Sequence, residues 1–150
     1  MRTLPADPDL LIVSCDGAAR GNPGPAGIGV QITDGSGHVV AEIAEWIGET
    51  TNNVAEYTAA LEGLRKAAVL GARRVHLRSD SQLLIQQLSG RYKVKASHLR
   101  PLYEEVRGLL SGFDRVRLQH VPREQNREAD RLANLGVDLR GSGSATRSQA

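Results

Sequence analysis

Four carboxylates stand out in this chain, each in a context of its own. Asp16 ends the apolar run LLIVSCD and precedes GAARGNPGP. Glu56 follows TTNNVA, Asp80 ends RRVHLRSD and precedes SQ, and Asp130 sits inside VPREQNREADRLAN. Two of these acids end strand-like runs, and two fall near the start of helix-like runs. Carboxylates at the ends of adjacent elements can converge on one point, where they repel unless cations hold them. That pattern suits two-metal phosphoryl transfer. Each acid also has a plainer use. Asp16 can form a turn before Gly17, Asp80 can cap a helix, and Asp130 can complement a helix dipole.

The elements that must position these acids follow from periodicity. Residues 10–16 form a nearly continuous apolar run, as in a central buried strand. RGNPGP is turn chemistry. Residues 26–33 (AGIGVQIT) read as a second strand, where Gly27 and Gly29 leave one face bare for close backbone approach. DGSG at 34–37 is a hairpin turn into a third strand over 38–47. The period then changes. Asn52 or Asn53 caps a helix carrying Tyr57, Leu61, Leu64 and Ala68 on one face, which ends at Gly71. Residues 74–79 form a fourth strand, parallel to a neighbour because a helix feeds it. SQLLIQQL is a short helix. Leu99, Leu102, Tyr103, Val106, Leu109 and Leu110 mark another. Residues 115–121 form a fifth strand, and Asn126 caps a last helix with Ala129, Leu132, Ala133, Gly136 and Val137 inward. The order βββαβααβα gives an α/β fold, one five-stranded mixed sheet flanked by helices.

The flanks carry little pattern. Residues 1–9 read as a flexible arm, 10–139 as the domain, and 140–150, rich in Gly and Ser, as a disordered tail. No apolar run approaches the roughly 20 residues of a membrane span. The single Cys15 cannot form an internal disulfide, so a reducing cytoplasmic setting is the default, and a monomer is taken as the default state. With one Cys, and His38, His76 and His98 lacking ligand spacing, zinc is not expected. His120 alternates with Val116 and Leu118 and reads as a buried structural histidine. Net charge is +2, but setting aside four of the 17 acids leaves 13 facing 19 Lys and Arg. That excess is compatible with a polyanionic partner. One Trp, three Tyr and one Phe are too few for a base-stacking platform.

DGAARGNPGPAGIG, TTNNVAEYTAALEGL, SDSQLLIQQL and VPREQNREADRLAN, in this order and spacing, resemble the type 1 ribonuclease H family over roughly residues 10–139. The resemblance implies the ribonuclease H fold and metal-dependent endonucleolytic cleavage of the RNA strand of RNA–DNA hybrids, leaving 3′-hydroxyl and 5′-phosphate ends. It implies two Mg²⁺ or Mn²⁺ ions held by Asp16, Glu56, Asp80 and Asp130. It places Asn22, Asn52 and Gln82 at the hybrid's minor groove and Thr51 at a DNA phosphate; the plainer alternative is that the three amides merely cap or decorate.

The chain departs from the best-known bacterial members in two places. Their basic, Trp-containing protrusion is reduced here to SGRYKVKASHL, with Arg91, Lys93 and Lys95. The loop before the fourth acid lacks their histidine, and Arg123 is the nearest substitute, unless it merely pairs with Glu124 or Glu128. Both departures resemble a compact subgroup, some of which also cuts double-stranded RNA. The rival readings are another nuclease of the same superfold, which should lack TTNN and SDSQ, and a non-catalytic hybrid-binding module, which should lack an acid.

Overall fold

A computed structural model describes residues 9–140 and the backbone of residues 144–148. The strands are β1 (Leu10–Ala19), β2 (Gly24–Asp34), β3 (Val39–Thr50), β4 (Arg74–Ser79), β5 (Arg115–His120) and β6 (Ser144–Ser148). The helices are α1 (Asn52–Val69), α2 (Gln82–Leu88), α3 (Arg100–Ser111) and α4 (Arg127–Asp138). The sheet order is β5-β4-β1-β2-β3-β6. β1 is antiparallel to β2 and parallel to β4, which is parallel to β5. The order expected from periodicity is thus observed, with one strand added.

That strand corrects the expectation of a disordered tail. Residues 144–148 pair antiparallel with Ala41–Glu45 of β3. β3 would otherwise be an edge with unpaired backbone groups, and main-chain pairing requires no apolar pattern in the added segment. The expected arm lies outside the described residues up to position 8, as do 141–143 and 149–150. No helix among the described residues is long and apolar enough to cross a membrane.

Alternation along β1 sends Val13 and Cys15, both fully buried, to the α1 side. There they meet Ile28, Val30, Tyr57, Leu64 and Leu77 in the main core. On the opposite face α4 lies across β1, β2 and β3. The bare face of β2 allows this. A Cβ added at Gly29 would overlap backbone atoms of Ala129 and Ala133, and one at Gly27 would lie 2.5 Å from the Val137 nitrogen. The DGSG hairpin closes through Asp34, whose carboxylate accepts from the Ser36 and His38 amides at 2.9 and 3.0 Å.

Two local expectations need correction. Thr51, not Asn52 or Asn53, caps α1: its hydroxyl accepts from the Val54 amide at 3.3 Å. His120 is exposed rather than buried, because β5 is the edge of the sheet and its outer residues have no second layer over them.

Candidate active site

The C-terminal ends of β1 and β4 lie side by side because the strands are parallel neighbours, with Cys15 opposite Ser79. Asp16 and Asp80 each follow that pair. α1 brings Glu56 over the same point, where Gly17 permits the approach: any Cβ there would overlap the Ala55 backbone. The Gly17 amide donates to Glu56 Oε1 at 3.0 Å. The Ser79 hydroxyl, at 3.5 Å, donates to Oε2. Carboxylate oxygens of Asp16, Glu56 and Asp80 come within 4.8 Å of one another.

Asp130, in the first turn of α4, lines the same cleft of about 340 Å³. Arg123 also lines it, and its Nη2 lies 3.6 Å from Asp130 Oδ1. Its carboxylate partner is therefore Asp130, not Glu124 or Glu128. Asn52 lines the cleft too, its Oδ1 accepting from the Ala19 amide at 3.0 Å, while its own amide donates to Asn22 Oδ1 at 3.0 Å. These bonds tie the GNPG turn to the start of α1. Thr51 sits beside them as the helix cap. Gln82 is exposed at the first residue of α2 and does not line the cleft.

Burial and mutual repulsion dominate the electrostatics. Asp16, 6% exposed, has its pKa pushed well above the carboxylate range by burial first, then by the charges of Glu56 and Asp80. Glu56 is also raised by burial, and by Asp80, while hydrogen bonds from Asp16 and the Gly17 amide oppose the rise. Three converging carboxylates with oxygens this close, in a polar cleft, form the hard oxygen donor set that suits divalent cations. The cluster can hold divalent metal.

Asn126 holds the N-cap position of α4, as its spacing implies, but its side chain is engaged at the site. It begins α4, yet its side chain makes no cap. Its Nδ2 instead donates to the Cys15 carbonyl at 3.0 Å and to Asp80 Oδ1 at 3.2 Å, linking β1, β4 and α4 at the site. Asn134 Nδ2 similarly donates to the Asp130 carbonyl at 3.0 Å and reaches Oδ1 at 3.5 Å. A sequence signal existed: Asn126, Asp130 and Asn134 recur every four residues on a helix whose other face is Ala and Leu.

The family described as "Reverse transcriptase-like" matches residues 14–136. Ribonuclease HI of Halobacterium salinarum is 46% identical over 123 residues, covering 82% of this chain and 62% of that protein. Its crystal structure superposes with a TM-score of 0.84 at 44% identity, covering 86% of this chain and 98% of that one. The chain belongs to the type 1 ribonuclease H family. The LC11 ribonuclease H1, isolated from compost and solved with an RNA/DNA hybrid, matches with a TM-score of 0.82 at 41% identity, covering 87% and 98%. Bifunctional protein Rv2228c of Mycobacterium tuberculosis is 45% identical over 129 residues, 85% of this chain but only 35% of that protein. This ribonuclease H domain therefore spans about a third of the mycobacterial relatives it matches.

Proposed function

We propose that the protein is a divalent-metal-dependent endoribonuclease that hydrolyses the RNA strand of RNA–DNA hybrids, leaving 3′-hydroxyl and 5′-phosphate ends. The convergence of Asp16, Glu56 and Asp80 within 4.8 Å carries this reading. Asp130 on the wall of the same cleft supports it. Asp16, Glu56, Asp80 and Asp130 would hold two ions, Mg²⁺ or Mn²⁺. Such ions supply charge stabilisation at the phosphate and make an attacking water more acidic.

The chain's own residues do the rest. Asn126 fixes Asp80 against β1. The Gly17 amide fixes one Glu56 oxygen. Arg123 cannot serve as a general base, because its guanidinium stays protonated. From 3.6 Å beside Asp130 it offers positive charge to a scissile or departing phosphate. Asn22, Thr51 and Asn52 form a continuous polar edge beside the cleft, suited to the minor groove and a DNA-strand phosphate. Gln82 is assigned an outer contact with the hybrid. The 2′-hydroxyls read there distinguish a hybrid from DNA duplex. The working unit is a monomer in a reducing cytoplasm, in keeping with one buried thiol.

A gel comparing labelled RNA–DNA hybrid, double-stranded RNA and DNA duplex, with Mg²⁺ or Mn²⁺, tests the proposal. Cleavage of the hybrid's RNA strand with either metal is expected. No cut with either metal overturns the reading, and cutting of double-stranded RNA alone reassigns the substrate.

A further inference from the structure

α4 covers β1, β2 and β3, and the same face of the sheet continues past it onto β4 and β5. Parallel register aligns that face. Arg74 lies opposite Arg115, His76 opposite Arg117, and Arg78 opposite Gln119. Their neighbours Val75 and Leu77 point to the other side, into the core. On the β1 side, Ser14 stands opposite Arg78. The result is a two-strand plane with four guanidinium groups around one imidazole. Arg115 and Arg117 are exposed, and Arg74, His76 and Arg78 half-buried.

The charge at the exposed end of this face, on Arg115 and Arg117, is not neutralised in the way nearby charge is. Arg73, one residue away, pairs with Asp114 at 3.0 Å. Arg78 reaches the Gln125 carbonyl at 3.5 Å. Arg115 and Arg117 have no carboxylate partner among the described residues. The positive field registers at His76, whose pKa is lowered by burial first and then by Arg117 and Arg78. Its Nε2 lies 2.7 Å from Gln119 Oε1, which fixes the ring within the plane. Asp9 and Asp114 flank the Arg74 end of the face, and Glu124 and Glu128 line a groove of about 200 Å³ at its other end that also holds Arg78, Asn126 and Arg127. Asn126 is the residue that holds Asp80, so this groove abuts the catalytic cleft.

Alternate residues on a strand are roughly 6.6 Å apart and neighbouring strands about 4.8 Å apart. Guanidiniums on that grid can meet successive phosphates of one backbone. The face carries no Phe, Tyr or Trp, so it offers phosphate contacts without base stacking. We propose that the open face of β4 and β5 is a second nucleic-acid surface, which takes the phosphates of a single strand running on from the duplex held in the cleft. The proposal rests on the cleft being a hybrid site. The surface reads no sequence and adds affinity in proportion to the phosphates it meets.

The test uses the whole chain with Ca²⁺ in place of Mg²⁺. Dissociation constants are measured across a salt series for a blunt hybrid, for that hybrid with a 5′ or 3′ single-stranded DNA tail, and for the free strand. The wild-type protein should bind one tailed form at least about threefold tighter than the blunt one, with a steeper salt dependence. Arg115→Ala with Arg117→Ala should abolish that increment and reduce the salt slope by about 1.4, two phosphates at about 0.7 each. Blunt-hybrid affinity and cleavage rate in Mg²⁺ should stay unchanged, and Arg→Lys at both positions should keep most of the increment. Binding of the free strand reads the face by itself, since the cleft's assignment does not require it. A tail that adds nothing to the wild-type protein, or adds as much to the double variant, overturns the proposal and leaves the assignment of the cleft standing.

Discussion

Asn126 and Arg123 sit four and seven residues before Asp130, and they meet the site in different ways, one buried and one exposed. Asn126 is 3% exposed and spans the Cys15 carbonyl and Asp80. Its own Oδ1 is buried without a partner. Asn126→Ala removes both donated bonds from a buried site, so it should cost about 1–3 kcal/mol of stability. Because Asp80 also loses its anchor, kcat should fall while KM changes little. Denaturant melts with steady-state kinetics check both. Arg123 is exposed, and its only carboxylate contact among the described residues is the 3.6 Å approach to Asp130. An ion pair that open contributes little to the fold. Arg123→Ala should therefore leave the melting temperature within error and lower kcat about 10-fold, with Lys restoring part. Full kcat in the Ala variant would make Arg123 a solvated side chain.

At the scale of elements, what the sequence disclosed and what it concealed have separate causes. Strands and helices were legible because burial imposes a period, and each acid was legible because it stood at the end of a strand or near the start of a helix. Gly27 and Gly29 were readable as a bare face, and α4 occupies that face. Gly29→Ala should accordingly force α4 off the sheet, costing about 1–3 kcal/mol or more and displacing Asp130. Thermal melts and activity measured together would show it, and an unchanged melt would contradict the packing described. Side-chain partners one step from the backbone were not legible. Thr51 and Asn52 are both competent caps, and only the Asn22–Asn52–Ala19 bonds decide that Asn52 is engaged elsewhere. Asn126 looked like a cap for the same reason. β6 could not be foreseen, since edge pairing uses backbone groups that every residue carries. His120 misled because alternation implies burial only where something covers the strand.

For the whole molecule, the carboxylate cluster couples stability to pH and metal. Asp16 and Glu56 have raised pKa values in the fold, whereas unfolded carboxylates titrate near 4. Above about pH 4 the folded chain therefore binds more protons than the unfolded chain, and stability falls as pH rises. In chelator, the melting temperature should decline from acid toward neutral and alkaline pH on account of these two groups. Saturating Mg²⁺ or Mn²⁺ should raise it and flatten the decline. Asp16→Asn should melt at or above wild type without metal, since it relieves repulsion, and should lose the metal-induced gain. A melting temperature indifferent to metal would mean that the acids do not act as one site.

The proposed function requires that these acids, held together by β1, β4 and α1, cut the RNA of a hybrid with divalent metal. Asp80→Asn tests it most directly, because it deletes a ligand charge and keeps the shape and the Asn126 contact available. Single-turnover cleavage of a labelled RNA–DNA hybrid in Mg²⁺ should proceed with the wild-type protein. It should fall by well over 10-fold, more than about 1.4 kcal/mol of barrier, in the variant with the fold intact by circular dichroism. A folded Asp80→Asn protein that keeps more than about a tenth of the wild-type rate, on that same energy scale, would contradict the account.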